Sequence, residues 1–157
     1  MRASVLMLVV VGPVLFFGPP VQAQVASLAG TWAIDPAGRG GRGNFAGYST
    51  ATRMVITESA TEVKIETNTG TENQLQTAIY KLDGSENPVP GPLGWDTRAS
   101  ATRPDGKLLV TIKRSIDGPE GKLNFEIRDI YSVAGNVLTL ERSQGSRTQK
   151  TVYQRTP

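Results

Sequence analysis

Residues 52–57 read Thr-Arg-Met-Val-Ile-Thr, 63–67 read Val-Lys-Ile-Glu-Thr, and 123–131 read Leu-Asn-Phe-Glu-Ile-Arg-Asp-Ile-Tyr. Apolar and polar side chains largely alternate in each, with many β-branched or aromatic residues, which is the pattern of a strand with one wet face. Turn-forming clusters stand between such runs: Asn68-Thr69-Gly70, Asp83-Gly84, Pro104-Asp105-Gly106, Asp117-Gly118 and Gly135-Asn136. Asp-Gly and Gly-Asn favour tight hairpins because glycine, and less readily Asn or Asp, accepts positive φ. No stretch of a dozen residues carries a helical apolar stripe, and nothing reads as a strand–helix–strand unit.

The pattern predicts strands at Thr31–Ile34, Thr52–Thr57, Val63–Thr67, Gln76–Leu82, Trp95–Thr102, Lys107–Arg114, Lys122–Val133, Asn136–Ser143 and Thr148–Arg155. Eight or nine antiparallel strands joined by hairpins are most economically closed into an all-β up-and-down barrel, because closure removes exposed edges. A two-sheet sandwich is the alternative. The alternation puts Ile34, Ile56, Ile65, Ile79, Ile112, Phe125 and Leu140 inside such a barrel, and the small Ala99 and Ala101, two apart on one face, permit a hollow.

Before the first strand, Arg2 precedes an apolar run from Val5 to Phe17, and a short segment ends in Ala23. This is the order of a secretory signal peptide. The run is broken by Gly12-Pro13 and falls short of the roughly 20 apolar residues of a membrane span. Residues 1–23 are therefore expected to be removed on export to the periplasm or beyond, leaving a single domain over 24–157.

Composition then removes most chemistry. The chain has no His and no Cys. Disulfide frameworks, the usual zinc sites, and Ser-His-Asp or Cys-His catalysis are thereby excluded. With 17 basic against 14 acidic side chains, the positive excess is too small to imply a nucleic-acid partner. Gly38, Gly40 and Gly43 spell a G-x-G-x-x-G with Arg39 and Arg42 inside it. A dinucleotide fingerprint needs a helix opening on its last glycine, and Asn44 to Thr52 has no helical stripe. A long loop between the first two strands is the better reading.

Leu28-x-Gly30-Thr31-Trp32 with Asp35-Pro36, then Tyr80 to Glu86 (YKLDGSE), Arg103 to Ile112 (RPDGKLLVTI) and Val152 to Arg155 (VYQR), occur in an order that resembles exported bacterial lipocalin-like proteins. The resemblance spans essentially all of 24–157. It implies that Gly30 and Trp32 form the barrel-floor signature and that Arg155, from the last strand, packs on the indole face, a contact worth about 0.5–2 kcal/mol. Arg142 is the competing cation. It further implies that the loop after the first strand lies at the barrel mouth, beside Asn87 to Trp95, which three prolines stiffen.

A ligand site in such a fold is the barrel interior. Candidate contacts are Phe45, Tyr48 and Trp95 at the rim, with Tyr80 as a buried polar handle. The expected function is binding of a small apolar or amphipathic ligand; the alternative is an envelope interaction module with a filled barrel. No catalytic, metal or cofactor site is assigned: Glu126 and Asp129, three apart, face opposite sides of a regular strand.

Overall fold

The computed structural model describes residues 26–39, 50–68 and 75–157. Ten strands follow in chain order: β1 (Gly30–Arg39), β2 (Arg53–Glu58), β3 (Glu62–Asn68), β4 (Leu75–Lys81), β5 (Asn87–Pro88), β6 (Asp96–Thr102), β7 (Leu108–Gly118), β8 (Gly121–Ala134), β9 (Val137–Gln144) and β10 (Arg147–Thr156). A single 3-10 turn, Pro104–Gly106, is the only helical element among the described residues. All nine predicted strands are present. The tenth, β5, escaped prediction because it is two residues long and contains Pro88, which cannot donate to a ladder.

The strands form one antiparallel sheet in the order β4-β3-β2-β1-β10-β9-β8-β7-β6-β5. A single sheet excludes the sandwich. Consecutive strands are neighbours except β4 and β5, which form the two edges, and β1 also pairs with β10, placing Trp32 opposite Arg155 and Ile34 opposite Tyr153. The sheet then curls until β4 approaches β5 and β6. That seam is bridged by the Gly84 N–H donating to the Ala101 carbonyl at 3.1 Å and by Asn87 Nδ2 donating to the Ile79 carbonyl at 2.9 Å. The barrel is nearly, not fully, closed.

Alternation along the strands divides the interior into two halves. Near the end where β1 begins, Leu28, Trp32, Met54, Val63, Leu108 and Leu138 are at most 1% exposed and fill the barrel. Ala99 and Ala101, expected to leave a hollow, are covered here, opposite Ile112 and Val110 on β7. Of the predicted inward residues, Ile56, Ile65, Ile112 and Leu140 are buried, Ile34 packs against the core, and Phe125 is half-buried on the same side as Ile127. Ile79 is a correction: it is 44% exposed on the outer face. Both phases of β4 carry a large apolar residue, and pairing with β3 decides between them, setting Tyr80 opposite Val63 and Ala78 opposite Ile65.

The floor is stitched around Trp32. Its Nε1 donates to the Leu28 carbonyl at 2.9 Å, and the Arg155 guanidinium carbon lies 4.2 Å from the ring centroid. Arg155 Nη1 also donates to the Ala29 carbonyl at 2.7 Å. Gly30 has φ of 142°, and a Cβ there would stand 2.2 Å from Arg155 Nη1, so only glycine lets the guanidinium lie across the strand. Glu58 closes the other side, accepting from the backbone N–H groups of Leu28 and Ala29 at 2.9 and 3.2 Å while pairing with Arg103. Deleting the indole removes a fully buried large aromatic, so Trp32→Ala is expected to cost about 3–5 kcal/mol. Arg155→Ala should cost less, as it loses a cation–π contact and a hydrogen bond; urea denaturation of the two variants measures both.

Candidate functional site

The other half of the interior is not filled. A cavity of about 260 Å³ lies above the apolar floor. Its lower wall is apolar, with Met54, Ile65, Ala78 and Leu140. Its upper wall is polar, with Arg114 from β7, Arg142 from β9, and Gln149, Thr151 and Tyr153 from β10. Over it runs the β5–β6 connection, Val89-Pro90-Gly91-Pro92. The Val89 N–H donates to the Thr97 carbonyl at 3.1 Å and pins this segment to β6. Gly91 is what permits the approach, since a Cβ there would stand 2.0 Å from Thr97 Oγ1.

Strand phase explains how charge entered the barrel. Arg114 continues the inward series Leu108, Val110, Ile112; Asp129 lies between Ile127 and Tyr131; and Arg142 follows Leu138 and Leu140. Arg114 is 4% exposed and Asp129 1%. Register places Asp129 directly opposite Arg142, and the carboxylate accepts two bonds, from Nε at 2.7 Å and from Nη2 at 2.5 Å. This fork geometry satisfies both carboxylate oxygens at once. The sequence carries the signal: Arg114 and Asp129 have apolar residues two positions away on both sides, and Arg142 has Leu140 two positions before it. It was overlooked because Asp129 read equally well as a solvated strand residue, and Arg142 as a rival to Arg155 at the floor. The structure assigns Trp32 to Arg155 and gives Arg142 to Asp129.

Three tyrosines, Tyr80, Tyr131 and Tyr153, line the same space. Burial pushes the Tyr153 phenol up to about 12; Asp129 reinforces the rise and Arg142 opposes it. Tyr131 is also raised well above an ordinary phenol, by burial first and then by Asp129. Both rings are therefore neutral at physiological pH. The Tyr153 hydroxyl is buried and has no hydrogen-bond partner among the described residues.

The anticipated contacts fall differently. Tyr80 lines the cavity. Trp95 does not: it is half-buried above β6, its ring tilted at 49° against Phe125 with centroids 5.3 Å apart. Phe45 and Tyr48 lie outside the described residues, as do Gly40 and Gly43 of the glycine-rich stretch. Glu126 is exposed while Asp129 is buried, so the two carboxyl groups share no site. Among the described residues no cluster of acidic side chains could hold a metal ion. A shallower cleft of about 440 Å³ lies on the outside near Phe125, where Lys113 pairs with Glu86 and Arg98 with Asp96. Its charges are already matched by exposed partners, so it offers little to a ligand.

This geometry is a nearly closed, antiparallel, lipocalin-like barrel, and solved structures share the fold. The chain is similar to a secretary abundant heat soluble (SAHS) protein from Ramazzottius varieornatus, with a TM-score of 0.58 at 17% identity over 82% of this chain and 95% of that one. Secretory abundant heat soluble protein 4 of the same organism gives 0.60 at 16% identity, covering 82% and 94%. The fluorescent protein UnaG gives 0.58 at 16% identity, covering 82% and 97%. No family model and no curated protein matches the sequence.

The raised phenols have a measurable consequence. Between the unfolded value near 10 and the folded value near 12, the unfolded chain has lost the Tyr153 proton and the folded chain has kept it. Stability must then fall as pH rises through that window, by about 1.4 kcal/mol per pH unit for this group. Tyr153→Phe should flatten the decline, read as the pH dependence of the urea midpoint from pH 9 to 12, with the Tyr131 contribution remaining.

Proposed function

We propose that the chain is an exported barrel that binds a small amphipathic molecule in the mouth half of its interior. One observation carries the reading: a cavity with an apolar lower wall and a polar upper wall, roofed by a loop, in a barrel whose other half is fully packed. A purely structural barrel gains nothing from an unfilled interior, which forgoes dispersion contacts. The apolar wall supplies affinity and the polar wall orients the guest, the usual division in small-molecule sites. Export is supported by the charged, apolar and small-residue order of residues 1–23, with the periplasm or the medium of a bacterial cell as destination. One of the similar barrels is itself named a secretory protein.

The alternative, a module acting through its outside, has one observation in its favour: Leu93 at the tip of the β5–β6 loop is fully exposed. Filling the cavity separates the two. Titration with the neutral fluorophore N-phenyl-1-naphthylamine should saturate at one site in the wild type, and Ala78→Phe should weaken it by about tenfold or more with the far-ultraviolet spectrum unchanged. Unaltered binding by Ala78→Phe would move the site out of the barrel. For export, Edman sequencing of protein recovered from the periplasm or medium should begin at Gln24.

A further inference from the structure

The β7–β8 hairpin is longer than the strand beside it. β8 meets β9 only from Arg128 onward, opposite Ser143, because β9 ends at Gln144 and turns into β10. Among the described strands, residues 121–127 pair with β7 alone, so their other side is an open sheet edge. Such an edge is a template for another strand. The turn sets the phase of its hydrogen-bonding groups. Pro119 and Glu120 form a two-residue loop closed by Gly118 and Gly121, and a closing pair of this kind exchanges hydrogen bonds across the hairpin. The register runs from there without a bulge. Leu123 and Phe125 therefore turn their backbone groups to β7, while Lys122, Asn124 and Glu126 turn theirs to the open edge.

We propose that the chain forms a symmetric dimer by antiparallel pairing of this edge, residues 122–126, with the same edge of a second copy. The segment Lys122-Leu123-Asn124-Phe125-Glu126 is complementary to itself about Asn124. Laid antiparallel with Asn124 opposite Asn124, it sets Lys122 opposite Glu126 and Leu123 opposite Phe125, each twice. The two kinds of pair fall on different faces. Lys122, Asn124 and Glu126 are exposed on the outer face, where Glu126 contacts Arg128 at 3.0 Å between exposed groups and its carboxylate can bridge both cations. Leu123 and Phe125 continue the inward phase of Ile127; Leu123 is 53% exposed, and Phe125 is half-buried against Trp95. Each copy thus supplies the strand that β9 does not. The charge crossings fix register, since a shift of two residues would set Lys122 opposite Asn124 or Arg128. Because the same patch serves on both sides, pairing closes at two copies and does not propagate.

Sedimentation velocity of the exported chain between about 1 and 100 µM should show a monomer–dimer equilibrium. Asn124→Pro deletes the N–H at the two-fold axis but not one used by the β7 ladder, and should leave monomer with the far-ultraviolet spectrum unchanged. Lys122→Glu and Glu126→Lys each set like charges opposite one another twice, so each should weaken the dimer by about tenfold or more. The two exchanges combined should restore it. The absence of cysteine from the chain allows a second readout. Asn124→Cys brings two Cα atoms to about 5.5 Å across the axis and should oxidise to a disulfide dimer, whereas Lys122→Cys, roughly 14 Å from its copy along the strands, should not. If Asn124→Pro does not fold, the charge exchange and the cysteine pair decide. Selective crosslinking through Asn124→Cys supports the pairing even where sedimentation detects only monomer. A monomer throughout the concentration range with no such crosslink overturns it, as does a dimer indifferent to the charge variants or crosslinking equally through Lys122→Cys.

Discussion

Pairing of β1 with β10 is the constraint on which the barrel depends. Strands β1 to β4 form one local meander and β5 to β10 another, each held by hairpins between consecutive strands. Only the β1–β10 ladder makes them one sheet, because across the opposite seam the described backbone makes a single hydrogen bond and Asn87 supplies another from its side chain. The ladder joins residues about as distant in sequence as the domain allows, such as Thr31 and Thr156, and such contacts pay the largest loop-closure entropy. The Trp32–Arg155 stack, the Arg155 bond to Ala29 and the glycine that makes room for both sit where this ladder is thinnest in sequence support. Floor chemistry and sheet closure are the same event.

That closure also decides where polarity can be tolerated. The floor half is filled, and its main polar groups have partners: the indole N–H bonds Leu28, and the Glu58 carboxylate accepts from backbone donors and pairs with Arg103. The mouth half inverts the rule, with Arg114, Asp129, Arg142 and three tyrosines in the inward phase; lower down, the same phase of β7 and β9 carries Leu108, Val110, Ile112, Leu138 and Leu140. A buried ion pair is seldom the most stable choice for a core, since well-packed apolar residues of similar volume often do as well or better. Its placement beside an unfilled volume, rather than within the packed floor, is consistent with selection for what enters that volume.

Period-two alternation and turn chemistry made the architecture legible, because each strand has one dry face and the hairpins are short. The failures have local causes. β4 could not be phased alone, since Ile79 and Tyr80 compete for the interior and only Val63 and Ile65 on the neighbouring strand decide. β5 is too short for any pattern. The proline-rich context of Trp95 points to ligand contact, but Trp95 is not in the cavity lining and packs on Phe125, thirty residues away on β8, a pairing that no hydrophobic pattern reveals. The cavity itself was out of reach: Ala99 and Ala101 suggested a hollow where Ile112 and Val110 close it. The space lies instead beside polar residues, which a search for apolar pockets passes over. Asp129 and Arg142 become a pair only once register sets them opposite one another.

The seam between β4 and β5 has a consequence for how the fold can be rewired. With β1 beside β10, the chain runs around the barrel as a nearly continuous ring, and its thinnest backbone connection falls at residues 82–87 rather than between the first and last strands. Joining Thr156 to Ala26 through a linker, so that Leu28 and Ala29 stay in the floor, and opening the chain at 82–87 would give a circular permutant starting at β5 and ending at β4. In that arrangement every pair of strands adjacent in the sheet would also be adjacent in sequence. The long-range ladder that now unites two meanders would become an ordinary hairpin, and the native topology would reduce to one uninterrupted ten-stranded meander.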